Sequence, residues 1–325
     1  MQHRVYSRML GSLVLCALVG IGATQAAQQN PRATSPDGSY TISVSIDWVV
    51  LPVTVLDGKS RSVPTLDRNR FKIYEDGRIQ EIRLFKHEEV SLTLGLVIDN
   101  SESMRGKRSE ATAAALALVG SLNPADEVFV VNFNDRAELG LQADQGFTNN
   151  LDQVRLALNR QVSGGGTALH DAIGLALDQL KQGHEVKKVL LLISDGGDSA
   201  SHLQLEQVLQ RTKESRATIY AISLLDPRSQ EQDTKVLNQI AKISGGEVFF
   251  PSSLQEVRTI AQKISQDIRS QYTLGYIPSN QARDGAFRRI QVRFSMPGST
   301  IYSVRTREGY LAPGPEEKKI SVNSR

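Results

Sequence analysis

Five short apolar runs, none alternating with polar residues, constrain this chain more than anything else in it. They lie at 92–98, 128–132, 189–194, 219–224 and 248–250. A strand with one wet face alternates apolar and polar residues. A run without alternation suits a strand covered on both faces, as in a parallel sheet. Between the runs lie stripes of helical period: Ala111, Ala114, Ala115, Leu118 and Val119; Leu169, Ala172, Ile173, Ala176, Leu177 and Leu180; Val257, Ile260, Ala261, Ile264 and Ile268. The pattern predicts an α/β fold over 90–270: a Rossmann-like open, mostly parallel sheet with helices on both faces. Residues 137–145 are expected to add an edge strand.

The flanks follow a different rhythm. From 40 to 55 the chain alternates, with Ile42, Val44, Ile46, Trp48 and Val50 on one face. The phase then shifts to Leu51, Val53 and Val55, which predicts a bulge or a crossing between sheets. Residues 71–85 predict a hairpin about Asp76-Gly77, because that pair tolerates positive φ. Beyond the last helical stripe, 272–277, 287–294 and 301–305 predict three more strands. Neither flank has enough strands for a sandwich, but together they do. We therefore expect 39–89 and 271–311 to form one β-sandwich with the α/β domain inserted in it, both crossings lying close together. Residues 27–38 read as a disordered linker and 312–325 as a loose polar tail.

Residues 1–26 predict a signal peptide: Arg4 and Arg8, an uncharged apolar core over 9–21, then Thr24 and Ala26 before a cleavage point after Ala26. The core is short for a membrane span, although retention as an anchor is the alternative. Cys16, the one cysteine, lies inside this leader, so the mature protein would hold no disulfide. The expected location is secreted or periplasmic. The formal charge is +3, and Arg4 and Arg8 account for two of it. No strong basic field remains to imply nucleic acid. Lys107-Arg108 and Arg288-Arg289 read as solvated charge.

In an open α/β sheet, ligands bind outside the carboxyl ends of the strands, where strand order reverses. Three predicted loops there carry chemistry. Asp99-Asn100-Ser101-Glu102-Ser103 follows the first run. Ser163-Gly164-Gly165-Gly166-Thr167 opens a helix. Asp195-Gly196-Gly197-Asp198 ends the third run. Carboxylates with hydroxyls make a hard-oxygen site that suits Mg²⁺ or Mn²⁺ better than Zn²⁺. Each loop alone also reads as an ordinary polar turn or helix cap. Asp198 reads as a solvated helix-entry residue, and His170 as a first-turn residue of a helix. The five histidines show no paired metal spacing.

Taken together, the D-x-S-x-S at Asp99, Ser101 and Ser103, the Gly165-Gly166-Thr167 loop and the strand-end Asp195 resemble the metal-ion-dependent adhesion site (MIDAS) of von Willebrand factor type A domains. The resemblance covers about 90–270, and all five motif positions match. The flanks, Phe71 to Gly77, Tyr272 to Pro278 and Phe287 to Val292, resemble a bacterial, notably acidobacterial, family of secreted proteins containing this domain. The resemblance implies that Ser101 and Ser103 ligate Mg²⁺ (or Mn²⁺) directly, that Thr167 adds a hydroxyl, and that Asp99 and Asp195 act directly or through water. An exchangeable position would then take an Asp or Glu of a partner protein, with Asn100 and Glu102 shaping partner choice. The implied function is a non-enzymatic, extracytoplasmic adhesion or assembly module, with no stable membrane span once the leader is cut. Two alternatives remain open: a structural scaffold whose metal site no partner uses, and a Mg²⁺-dependent hydrolase. The hydrolase reading lacks a second aspartate two residues after Asp99, where Ser101 stands, and has no G-x-S-x-G or P-loop motif.

Overall fold

The computed structural model describes residues 48–87, 90–160, 164–224, 231–296, 298 and 301–315, all within the unit Ile46–Arg325. The predicted leader with its cleavage point, the linker, the 40–47 part of the first alternating stretch and the tail from 316 lie outside these residues.

The described chain begins with β1 (Val49–Leu56), β2 (Phe71–Glu75), β3 (Arg78–Gln80) and β4 (Leu84–Lys86). In β1 the later hydrophobic phase faces inward. Val49, Leu51, Val53 and Val55 are buried, while Trp48 from the earlier phase is 43% exposed. β2 and β3 form the expected hairpin, and Asp76 (φ 46°) and Gly77 (φ 80°) both take the left-handed conformation that its tight turn needs. The hairpin ends sooner than 85. Ile82 is buried, and β4 crosses into a different sheet.

The α/β part follows in order: β5 (Leu92–Asp99), α1 (Arg108–Val119), β6 (Glu127–Phe133), β7 (Ala137–Leu139), α2 (Leu151–Leu158), α3 (Leu169–Gln182), β8 (Lys187–Ser194), α4 (Leu205–Glu214), β9 (Thr218–Ser223), α5 (Glu231–Ser244), β10 (Val248–Phe249) and α6 (Leu254–Arg269). The sheet order is β10-β9-β8-β5-β6-β7, parallel except for β7. All eight residues of β5 are buried, as a central strand covered on both faces requires. Gly95 sits at its middle because a Cβ there would come within 2.4 Å of both Leu190 Cδ2 and Phe129 Cζ, so its neighbours' side chains close over it. α1, which buries Ala111, Ala114 and Ala115, packs on α6, and α3 packs on α4. The edge strand stops at Leu139 instead of reaching 145. The chain then leaves the sheet and returns at Thr148, whose N–H and carbonyl both bond to Val128.

The flanking strands are completed by β11 (Tyr272–Tyr276), β12 (Phe287–Phe294), β13 (Ser303–Arg305) and β14 (Gly309–Leu311). They make two four-stranded antiparallel sheets, β13-β1-β11-β4 and β14-β12-β2-β3. Each sheet mixes strands from before and after the α/β part, so the sandwich exists only when both flanks are present. Leu51, Val53, Phe71, Ile73, Tyr272, Leu274, Tyr276 and Ile290 share one core between the sheets. β4, the last strand before the α/β part, pairs with β11, the first after it, through Thr273 opposite Lys86. The two crossings are therefore neighbours, as the sequence predicts. Ala312 and Pro313, expected to open the loose tail, are still held. Ala312 is buried with its N–H on the Ala286 carbonyl, and the Pro313 carbonyl accepts from Gly285.

Candidate metal centre

The sheet order reverses about β5, with β6 on one side and β8 on the other. β5 delivers Asp99 to its carboxyl end, where the residue is only 1% exposed. One carboxylate oxygen, Oδ1, accepts the Ser101 N–H at 2.8 Å. The other, Oδ2, accepts the hydroxyl of Ser194, the last residue of β8, at 2.6 Å. Burial pushes the Asp99 carboxyl up to about 6; the hydrogen bonds from Ser101 and Ser194 oppose this, and the charge of Asp195 adds to it.

Ser101 is buried and Ser103 exposed, their hydroxyl oxygens 3.2 Å apart. A turn over Glu102–Lys107 holds them, anchored by the fully buried Met104, whose N–H bonds to the Ser101 carbonyl. The glycine loop is tied to this turn by its backbone. Gly164 N–H donates to the Asn100 carbonyl at 2.9 Å, and Glu102 N–H to the Gly165 carbonyl at 3.2 Å. Gly165 adopts φ +81°, and a Cβ there would fall 2.1 Å from Asp135 Oδ2. That same carboxylate accepts the Gly166 N–H at 2.6 Å through Oδ1. Thr167 is buried; its N–H bonds to Ser199 Oγ at 3.1 Å, and its carbonyl accepts from the Ser199 and Ala200 N–H groups. Asp195, directly after β8, is half-buried.

The five residues singled out in the sequence thus come from three loops at one end of the sheet. Their chemistry fits a hard divalent cation. Asp99 and Asp195 are neighbouring carboxylates, and among the described residues neither forms a salt bridge. The remaining donors are hydroxyls, which coordinate without adding charge. No group of three or more His, Cys, Asp or Glu suited to a metal occurs among the described residues, so hydroxyls would have to complete the donor set.

The other residues singled out in the sequence, near the site and beyond it, can be placed as well. Asn100 is 1% exposed and donates to the Ile98 carbonyl and to Asn132, so it braces the loop and cannot meet a partner. Glu102 is exposed and paired with Arg105 at 2.6 Å. Asp198 does not enter a helix of its own. It reaches across to accept the His170 N–H in the first turn of α3, and the Ser201 hydroxyl. Arg288 is buried on Asp284 at 2.9 Å, unlike its exposed neighbour Arg289. Asp135, Ser194 and Ser199 organise the loops and escaped the sequence reading. Asp135 had a signal, since it lies just past the β6 run as a third acid at a strand's carboxyl end. Beside it opens a polar hollow of about 310 Å³, lined by Asn134, Arg136 and Arg160 among others.

Comparison with known proteins identifies the family of the α/β part. The model of the von Willebrand factor type A domain matches residues 94–263, just over half of the chain. Among solved structures, a von Willebrand factor type A protein from Catenulispora acidiphila is 13% identical over 81% of this chain and 74% of that one, with a TM-score of 0.47. The conserved hypothetical protein BatB from Bacteroides thetaiotaomicron is 18% identical over 55% of this chain and 100% of its own, at 0.43. Proximal thread matrix protein 1 from the mussel byssus, in a form with a zinc-occupied MIDAS motif, is 18% identical over 60% of this chain and 49% of its own, at 0.48. No curated protein matches.

Proposed function

Because the chain belongs to the von Willebrand factor type A domain family, we propose that it is an extracytoplasmic, metal-dependent protein-binding module for adhesion or assembly. Domains of this family mediate protein–protein interactions. Our finer reading is that Asp99, Ser101, Ser103, Thr167 and Asp195 form a complete metal-binding set for Mg²⁺ or Mn²⁺. The observation that carries it is the buried Asp99 carboxylate, close enough to Asp195 to feel its charge and joined to no Lys, Arg or His among the described residues. Two such carboxylates repel each other unless a proton or a metal ion intervenes. The bound ion would supply a positive centre with an exchangeable position for a partner's Asp or Glu carboxylate.

The chain's own residues do the remaining work. Ser101 N–H and Ser194 fix the Asp99 carboxylate, and Met104 fixes the serine turn. Asp135 and Ser199 hold the Gly164–Thr167 loop against it. We read the module as non-enzymatic, because Ser101 stands where a phosphotransfer aspartate would be needed after Asp99. We propose further that 90–270 is the binding domain, that 39–89 with 271–311 forms its supporting sandwich, and that the protein is secreted or periplasmic. Among the described residues no helix is long and apolar enough to cross a membrane.

The test is calorimetric titration of the protein with Mg²⁺ and with Mn²⁺, beside Ser101→Ala and Asp195→Ala variants whose circular dichroism is unchanged. We expect saturable one-site binding that weakens at least about tenfold in each variant. Equal binding in parent and variants, or none with either ion, sinks the assignment.

A further inference from the structure

Away from the metal-site loops, positive charge gathers on one surface. The sheet β14-β12-β2-β3 buries one face in the sandwich core. On the other, Phe287, Arg289, Gln291 and Arg293 of β12 are exposed, alternating with the buried Arg288, Ile290 and Val292. Lys72 of β2 stands directly opposite Arg293, and Tyr74 opposite Gln291. The Arg293 guanidinium lies 4.7 Å from the centre of the Tyr74 ring and donates to Gln291 Oε1 at 3.2 and 3.1 Å. At the far end Lys213, from the last turn of α4, places its ammonium 5.5 Å from the centre of the Phe287 ring. Lys213, Arg289, Arg293 and Lys72 therefore follow one strand for roughly 20 Å at the ordinary strand rise. Among the described residues none of the four forms a salt bridge. Asp76, which follows β2, has its Oδ1 on the Arg289 backbone N–H at 2.9 Å.

Like charges directly opposite on a sheet work against it, so the Lys72–Arg293 pair is a feature that an outside anion would relieve. We propose that this face binds an extended acidic polypeptide segment of a partner protein. Alternate side chains on β12 project about every 6.8 Å, the same repeat at which an extended polypeptide presents its own carboxylates. A guanidinium meets a carboxylate through two parallel hydrogen bonds, which makes Arg289 and Arg293 suited to that acid. The two rings already carry cations over one face, so they hold charge in place and do not form the open stacking platform that single-stranded nucleic acid uses. The contact is independent of the metal loops and adds to them a second, metal-free point of attachment.

The test measures anisotropy of a labelled oligoglutamate added to the whole protein in EDTA, which silences the metal site. Saturable binding is expected. It should weaken with added salt, fall at least about tenfold in Arg289→Glu, Arg293→Glu, and survive unchanged in Asp195→Ala. Should the charge reversal unfold the protein, Arg289→Gln, Arg293→Gln decides in its place, with the same loss expected. The proposal is overturned if oligoglutamate does not bind in EDTA, or if it binds a folded variant as well as the parent. It is also overturned if a single-stranded oligonucleotide, polygalacturonate or phosphatidylglycerol vesicles bind more tightly in the same buffer.

Discussion

Asp99 concentrates the physics of the site in one residue. Its carboxyl titrates near 6 in the fold against 3.8 in an unfolded chain, so the folded state holds the proton more tightly than the unfolded state does. The group's contribution is therefore fully present below pH 3.8 and is lost as pH rises through about 6. In EDTA, raising the pH from 4 to 7 should cost the protein about 2 kcal/mol that an Asp99→Asn variant does not lose. Urea unfolding of both proteins at the two pH values measures the difference, and equal slopes would disprove the shift. Saturating Mg²⁺ should remove the parent's loss, because it stabilises the ionised carboxylate. The motif residues were legible because acids and hydroxyls at strand ends are conspicuous. Asp135, Ser194 and Ser199 were not. A side chain that only accepts or donates a loop's backbone bond leaves no spacing rule in the sequence.

At the scale of elements, what was legible mostly followed how much apolar surface each one buries, with α5 the exception: it buries Leu237, Ile240, Ala241 and Ile243 and still went unread. The five parallel strands and α1, α3 and α6 show themselves through continuous runs or full stripes. α4 buries only Val208 and Thr212, too little for a stripe, and α2 spans only eight residues. β14 is three residues long and begins at a glycine. The Gly164–Thr167 loop is the element on which the site depends most. Gly165→Ala would meet two obstacles: φ +81°, which an L side chain resists, and the Asp135 carboxylate at 2.1 Å. The carboxylate can swing away, but only by releasing the Gly166 N–H. We expect about 1–3 kcal/mol of destabilisation and a clear loss of Mg²⁺ affinity. Adding Asp135→Ala should relieve the clash without restoring affinity, because the loop's brace is then gone. Calorimetry and urea unfolding of the single and double variants separate the two effects.

For the whole molecule, the question is how firmly the sandwich grips the α/β part. Within the sandwich, buried Glu75 of β2 accepts the hydroxyls of Tyr276 at 2.7 Å and Tyr310 at 2.9 Å, joining its two sheets. Between sandwich and α/β part, Arg305 of β13 reaches Asp267 of α6 at 2.6 Å, pairs with Glu247, and lies over the buried Tyr220 ring. Arg307 donates to the carbonyl of Lys213 at 2.6 Å. The Asp267 side chain is 1% exposed, so Arg305→Ala would leave a buried carboxylate with the Ser62 hydroxyl but no countercharge, at a cost of about 3–5 kcal/mol. Each part of the chain has a spectroscopic reporter of its own. The one tryptophan, Trp48, adjoins β1 and lies by Gly275 in the sandwich, while nearly all helix belongs to the α/β part. In the parent, tryptophan fluorescence and far-ultraviolet circular dichroism should follow one common thermal transition, because the two parts share buried ionic contacts and adjacent chain crossings. In Arg305→Ala the fluorescence transition should move to lower temperature than the dichroism transition, because only the sandwich loses its anchor while the parallel sheet keeps its own core. If both transitions fall together, the two parts remain one cooperative unit held by β4 and β11, and Arg305 adds stability without governing the coupling.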